Sequence, residues 1–106
     1  MDVQNHIKEL CQEIVERFSP QKVILFGSYA YGVPNADSDI DLLVVMPFDG
    51  RVHEQAFKVR KGLSSRMPID LIVRTPEQVR ERVEMEDFFM REIVEQGKIL
   101  YESSYA

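Results

Sequence analysis

Three aspartates have the residue type and spacing that could support chemistry in this chain. Asp39 and Asp41 flank Ile40, at the start of the apolar run at 40–46. Side chains alternate between the two faces of a strand, so we expect both carboxylates on the same side. Neighbouring carboxylates repel each other unless a cation compensates, and Mg²⁺ is the natural hard-oxygen partner. The pair therefore indicates a metal cradle, although a bare Asp-x-Asp can also be two solvated strand ends.

Gly27 and Ser28 strengthen this interpretation because they follow a second β-prone run, residues 23–26. A strand that ends in Gly-Ser lets the backbone approach a phosphate, with N–H groups and the serine hydroxyl as donors. Taken alone, Gly27-Ser28 could be an ordinary turn. Both features fall within the 15 residues from Gly27 to Asp41, each at the edge of a predicted strand. That proximity favours one site for phosphate and metal.

Asp70 supplies a third acid. It lies one residue into the apolar run at 69–73, with Ile69 and Leu71 expected on the opposite face. Burying an unpaired charge is costly, so Asp70 should have a partner or work beside a metal. Without the other two acids, a structural salt bridge would be an equally good explanation. With them, Asp70 completes a predicted three-acid site.

Apolar periodicity and turn residues predict the elements that position these side chains. Thr75, Pro76 and Gln78 form a strong helix start with a capping box. The pattern predicts an α/β or α+β fold, a small sheet flanked by helices. The predicted elements are a helix at 3–18, strands at 23–26 and 40–46, a helix at 51–65, a strand at 69–73, helical sequence from 75 to about 96 with a break near 86–87, and a short last strand at 98–102.

Composition limits the kinds of protein this chain could be. Its 106 residues predict a single domain spanning 1–106, and 44% hydrophobic with 29% charged residues is typical of a soluble globular protein. A net charge of −5 argues against extended nucleic-acid binding but is compatible with a small triphosphate. We find no signal peptide and no run near the roughly 20 apolar residues that span a bilayer. We therefore expect no membrane association, and because Cys11 is the only cysteine we expect a reducing cytoplasm.

The spacing of these motifs resembles a known family. Gly27-Ser28, ten further residues and then Asp39-Ile40-Asp41 are similar to the signature of the polymerase-β-like nucleotidyltransferases. More narrowly, the chain resembles the minimal nucleotidyltransferases, or MNT proteins, over nearly its whole length. The resemblance implies a nucleotidyltransferase-like fold with a mixed sheet.

The resemblance also implies roles for the residues. Asp39 and Asp41 would bind two Mg²⁺ ions, and Ser28 with the Gly27 backbone would hold the β- and γ-phosphates of ATP. Asp70 would complete the metal site and favour deprotonation of the attacking hydroxyl. AMP would pass from ATP to a hydroxyl acceptor, releasing pyrophosphate. MNT proteins are typically paired with a HEPN-domain protein, so the resemblance implies an antitoxin that adenylylates a HEPN partner.

Several alternatives stay open at this point. The acceptor could be a small hydroxylated molecule or an RNA end, or the chain could be a non-catalytic antitoxin that blocks its partner by contact. The sequence leaves a homo-oligomer possible. Tyr29 and Tyr31 could stack on a nucleobase or simply pack locally. An apolar set near the C-terminus could be core or partner contact: Phe88, Phe89, Met90, Ile93 and Val94.

Overall fold

The computed structural model describes residues 2–104, and that part of the chain forms four α-helices and four strands. The bounds of the predicted domain, residues 1 and 106, lie outside the described residues. The elements are α1 (Val3–Phe18), β1 (Lys22–Phe26), a one-turn 3-10 helix (Gly27–Tyr29), β2 (Ile40–Val45), α2 (Val52–Lys61), β3 (Ile69–Arg74), α3 (Pro76–Glu84), α4 (Phe88–Gln96) and β4 (Lys98–Glu102).

The four strands form one mixed sheet in the order β3-β2-β1-β4. β1 runs antiparallel to both β2 and β4, whereas β2 and β3 are parallel. The C-terminal end of β1 therefore meets the N-terminal ends of β2 and β3. We call this end of the sheet, which carries Phe26, Asp41 and Asp70, the acidic end.

Helices cover both faces of the sheet. Val23 and Leu25 of β1 pack with buried residues of α1 and α2, such as Ile14 and Val59. Ile24 and Phe26, which alternate with them, pack on the other face with Met90 and Ile93 of α4 and with α3. Burial on both faces explains why β1 and β2 are almost continuously apolar.

Local signals explain where the helices begin and end. Asp2 caps α1, and Thr75 with Gln78 forms the expected capping box before α3. The predicted break falls after α3, where the chain turns through residues 85–87 and Asp87 caps α4. The helix predicted to reach residue 65 was too long, since α2 ends at Lys61. The Ser65 hydroxyl bonds the backbone N–H and carbonyl of Met67 and thereby supports a loop there instead.

The predicted fold class, a small mixed sheet flanked by helices, is confirmed. The last strand at 98–102 is confirmed as well, and it pairs with β1 through an irregularity between Val23 and Ile24. Among residues 2–104, no helix has both the length and the apolar character needed to cross a membrane.

Candidate active site

Strand pairing brings two of the three predicted acids face to face. Asp41 lies directly opposite Asp70 in the parallel β2–β3 pair and opposite Phe26 in the antiparallel β1–β2 pair. Residues that are directly opposite share one face of a sheet, so both carboxylates lie on the face covered by α4. Asp39 is exposed and precedes the first residue of β2. It is therefore near the pair without belonging to the strand.

The acids interact electrostatically. The pKa of Asp41 is raised from 3.8 to about 6, first by burial and then by the negative charges of Asp70 and Asp39. A side-chain hydrogen bond with Asp70 raises the pKa of Asp41 further. All of these effects favour the protonated form of Asp41, because burial and like charges both disfavour the ionised form. In this arrangement Asp41 and Asp70 form a coupled carboxyl pair, and Asp39 acts on Asp41 through its charge.

Residues 2–104 supply these acids with no counter-charge in an ion pair. The salt bridges within residues 2–104 join other residues, and none includes Asp39, Asp41 or Asp70. In the same part of the chain, no group of three or more His, Cys, Asp and Glu side chains is arranged to hold a metal ion. Asp70 is exposed at the strand end, so the cost of burying an unpaired charge does not arise for it. The alternative of a structural salt bridge at Asp70 finds no support in the described residues.

The Gly27-Ser28 turn lies against Asp41. Gly27 has a φ of 72°, in the left-handed region that favours glycine. A Cβ atom placed on Gly27 would overlap the Asp41 carboxylate, so the glycine permits this close approach. The Gly27 carbonyl accepts the N–H groups of Ala30 and Tyr31, both at 3.0 Å, which closes the turn. Ser28 is half-buried within the same turn.

An aromatic contact beside the acids was not part of the sequence-based site. Phe26 is only 4% exposed. The ring of Phe89 from α4 meets it edge to face, with centroids 5.8 Å apart and planes at 84°. Strand alternation could have placed Phe26 on the Asp41 face once the register was known. Because Phe89 comes from a distant element, no local signal could have paired it with Phe26.

The chain is similar to known proteins over most of its length. A family model of the nucleotidyltransferase domain matches residues 7–101. The chain belongs to this family. A Methanocaldococcus jannaschii protein, provisionally named a protein adenylyltransferase, is 32% identical over 104 residues, which is 95% of this chain and 100% of that protein.

Two solved structures share the fold of this nucleotidyltransferase. One, provisionally named a nucleotidyltransferase, comes from Sulfolobus solfataricus, with a TM-score of 0.64, 23% identity, and coverage of 91% of this chain and 77% of its own. The other is a toxin–antitoxin structure with AMP-PNP, with a TM-score of 0.60, 23% identity, and coverage of 92% and 75%. The family inferred from the Gly-Ser and Asp-x-Asp spacing is thus confirmed, while the roles of individual site residues stay predictions.

Proposed function

We propose that this nucleotidyltransferase moves AMP from ATP to a hydroxyl group of a partner protein. Asp39, Asp41 and Asp70 would be its catalytic acids, with Gly27 and Ser28 at the phosphates. The observation that carries the proposal is the pairing of Asp41 with Asp70 beside the Gly27 turn, where no described residue supplies a counter-charge. Such uncompensated like charges are unfavourable for folding and typical of functional sites.

Divalent cations fit this acid cluster chemically. Carboxylate oxygens are the ligands that Mg²⁺ prefers, and close like-charged carboxylates attract cations. Asp39 is exposed just before β2, so rotation of its side chain could bring it toward the pair. We propose that all three acids hold Mg²⁺. Two bound ions would neutralise phosphate charge and stabilise both the entering and the leaving oxygen of the displacement.

The chain's own residues would position the reactants. The Ser28 hydroxyl and the backbone of the turn would donate hydrogen bonds to the β- and γ-phosphates. Asp70 would accept the proton of the acceptor hydroxyl while the hydroxyl oxygen bonds to the α-phosphorus. The bond from that phosphorus to the bridging oxygen breaks, and pyrophosphate leaves with the electron pair. Orientation of this kind supplies much of the rate in phosphoryl-type transfers.

A protein acceptor is favoured over a small molecule or an RNA end by two relationships. The Methanocaldococcus jannaschii relative is provisionally named for protein adenylylation and matches the chain over its full length. A structural neighbour belongs to a toxin–antitoxin pair and was solved with AMP-PNP. We therefore propose a HEPN-domain toxin as the partner and an antitoxin role for this chain, with cytoplasmic location.

A transfer assay tests the proposal. The protein is incubated with ATP labelled at the α-phosphate, Mg²⁺ and the product of the adjacent gene, and label on that product is measured. We expect transfer by the wild type and none by the Asp39→Ala/Asp41→Ala double variant. Ser28→Ala should raise the KM for ATP while leaving the melting temperature unchanged.

Each competing function has its own outcome in that assay. Transfer that survives in the double variant would show that the site is wrong. Label that appears on an added RNA or a small polyol, and not on the protein, would favour the other acceptors. Neutralisation of the partner by wild type and double variant alike, without ATP, would identify a non-catalytic binding module.

A further inference from the structure

We infer that Phe89 is the stacking platform for the nucleobase of the donor nucleotide. The inference rests on the proposed function, since it names a further part of the same site. Phe89 is 52% exposed although it lies on the helix that covers the sheet. The Phe89 ring is held in place by its contact with buried Phe26, which lies directly opposite Asp41. An aromatic ring that is held in place and still open to solvent can receive a planar ligand at little entropic cost.

The direction of the reaction places Phe89 on the donor side. In an in-line displacement, the acceptor oxygen enters opposite the departing pyrophosphate. The Gly27-Ser28 turn continues from β1, whereas Asp70 lies on β3, beyond β2. Pyrophosphate would therefore leave on the β1 side, and the acceptor would approach on the β3 side. α4 packs against β1, so Phe89 lies on the side of the donor's phosphates and away from the side on which the acceptor approaches.

The two tyrosines of the turn are weaker candidates for this role. Tyr29 packs on the core cluster of α1 and α2, the face opposite to Phe26 and therefore opposite to Asp41. Tyr31 is partly exposed, but its N–H is bonded to Gly27 within the turn that we assign to the phosphates. Of the three aromatic residues, Phe89 is the one whose ring contacts a residue on the face of Asp41, namely Phe26.

Base stacking on an aromatic side chain has a measurable consequence. Loss of such a ring typically weakens nucleotide binding about tenfold, with a larger effect for purines, which offer more surface. We expect Phe89→Leu to raise the KM for ATP about tenfold. Leucine keeps an apolar side chain over Phe26, so the fold should survive. kcat should change less than twofold, because the acids and the turn are untouched.

Tryptophan fluorescence provides a direct test, because the chain contains no tryptophan. Phe89→Trp introduces a single indole at the proposed platform. Phe88→Trp is the matched control, since Phe88 is the preceding residue of α4, 78% exposed and about 100° around the helix. Both variants are titrated with ATP and with inorganic tripolyphosphate in the presence of Mg²⁺. We expect ATP to quench the indole at 89 and not at 88, and tripolyphosphate to quench neither.

Other outcomes overturn the inference. Equal quenching at both positions, no quenching at 89 although calorimetry shows that the variant binds ATP, or a normal KM for ATP in Phe89→Leu would each exclude stacking on Phe89. A loss of ATP binding in Tyr31→Ala, with Phe89→Leu unaffected, would assign the base to the turn instead. If the wild type binds no ATP by calorimetry, the proposed function fails and the inference fails with it. If it binds ATP and only the indole test is negative, the proposed function stands.

Discussion

The two ends of the sheet differ in whether their charged side chains are paired. At the acidic end, Asp41 and Asp70 lie side by side and no basic residue of the described chain pairs with them. At the other end, Lys22 and Glu102 form an ion pair of 3.1 Å across β1 and β4. Away from the strand ends, Arg82 and Asp87 form a second ion pair, at 3.6 Å, between α3 and the start of α4. One end has compensated charges and the other does not.

This contrast separates what the fold requires from what a site requires. Ion pairs at a strand end are neutral or mildly favourable to stability. Two carboxylates at the same register position oppose folding and would be replaced easily if stability were the only requirement. The backbone differs in the same way. At the acidic end, Gly27 has a positive φ and lies against the charged side chain of Asp41. We therefore expect the loss of a carboxylate at the acidic end to affect activity and stability in opposite directions.

The largest expected effect is on activity. Asp41→Asn should lower the rate of AMP transfer about a thousandfold, since one of the carboxylates that we propose to hold Mg²⁺ is lost. Glu102→Gln, the matched carboxylate at the opposite end, should change that rate less than twofold. Initial rates of label transfer at saturating ATP measure both. A similar loss in the two variants would mean that the acidic end is not the site.

The next effect concerns Gly27. Gly27→Ala should cost about 2–3 kcal/mol of unfolding free energy, because alanine is strained at positive φ and also displaces the Asp41 carboxylate. Gly50→Ala is the control, since Gly50 has a φ of 95° but a Cβ atom placed on it would lie 3.9 Å from Glu54 Oε2, an ordinary contact distance. It should show only the strain, about 1–2 kcal/mol, and keep full activity. Urea denaturation compares the two, and equal losses would show that the contact with Asp41 is unimportant.

The sequence could predict the features of the acidic end that depend on neighbours in the chain. Both short motifs, Asp39-Ile40-Asp41 and Gly27-Ser28, lie at the end of a strand. Strand alternation alone predicts that Asp70 lies on the opposite face of the sheet from Ile69 and Leu71. The approach of Asp70 to Asp41 was expected from their chemistry. Their alignment depends on the parallel pairing of β2 with β3 across the α2 connection, whose register no local pattern determines.

The sequence could not predict two further features, because both depend on packing between distant parts of the chain. The exposure of Asp70 depends on where helices leave the sheet uncovered, which an apolar run does not reveal. The contact of Phe89 with Phe26 joins residues far apart in the chain. The apolar set at 88–94 divides accordingly. Met90 and Ile93 are core, whereas Phe88, Phe89 and Val94 remain largely exposed.

A smaller effect should appear in the pH dependence of stability. The pKa of Asp41 is about 6 in the fold, against 3.8 as its ordinary value. The folded state therefore holds more protons between these values, and the wild type loses stability as pH rises through about 4 to 6. Asp41→Asn removes this loss. Without divalent ions at pH 8 it should be more stable than the wild type by about 1 kcal/mol, allowing for solvent screening.

Thermal unfolding in EDTA measures this difference. We expect Asp41→Asn to melt several degrees above the wild type at pH 8 and close to it at pH 3.5. Added Mg²⁺ should raise the melting temperature of the wild type at pH 8 and have little effect on the variant. A variant that melts below the wild type at pH 8 would show that the two carboxyl groups stabilise each other, contrary to the contrast drawn between the two ends.

The smallest effect is expected at the compensated end. Lys22 and Glu102 are partly exposed, so their ion pair should contribute less than about 1 kcal/mol, and 1 M NaCl should screen most of it. Glu102→Gln therefore should lower the unfolding free energy slightly in low salt and not at all in high salt. Glu95→Gln, which breaks the exposed pair with Arg91 on α4, is the control of similar kind. A loss above about 2 kcal/mol that persists in high salt would mean that β4 depends on this pair. In that case charged residues would determine stability at both ends of the sheet, and only the activity measurements would distinguish the two ends.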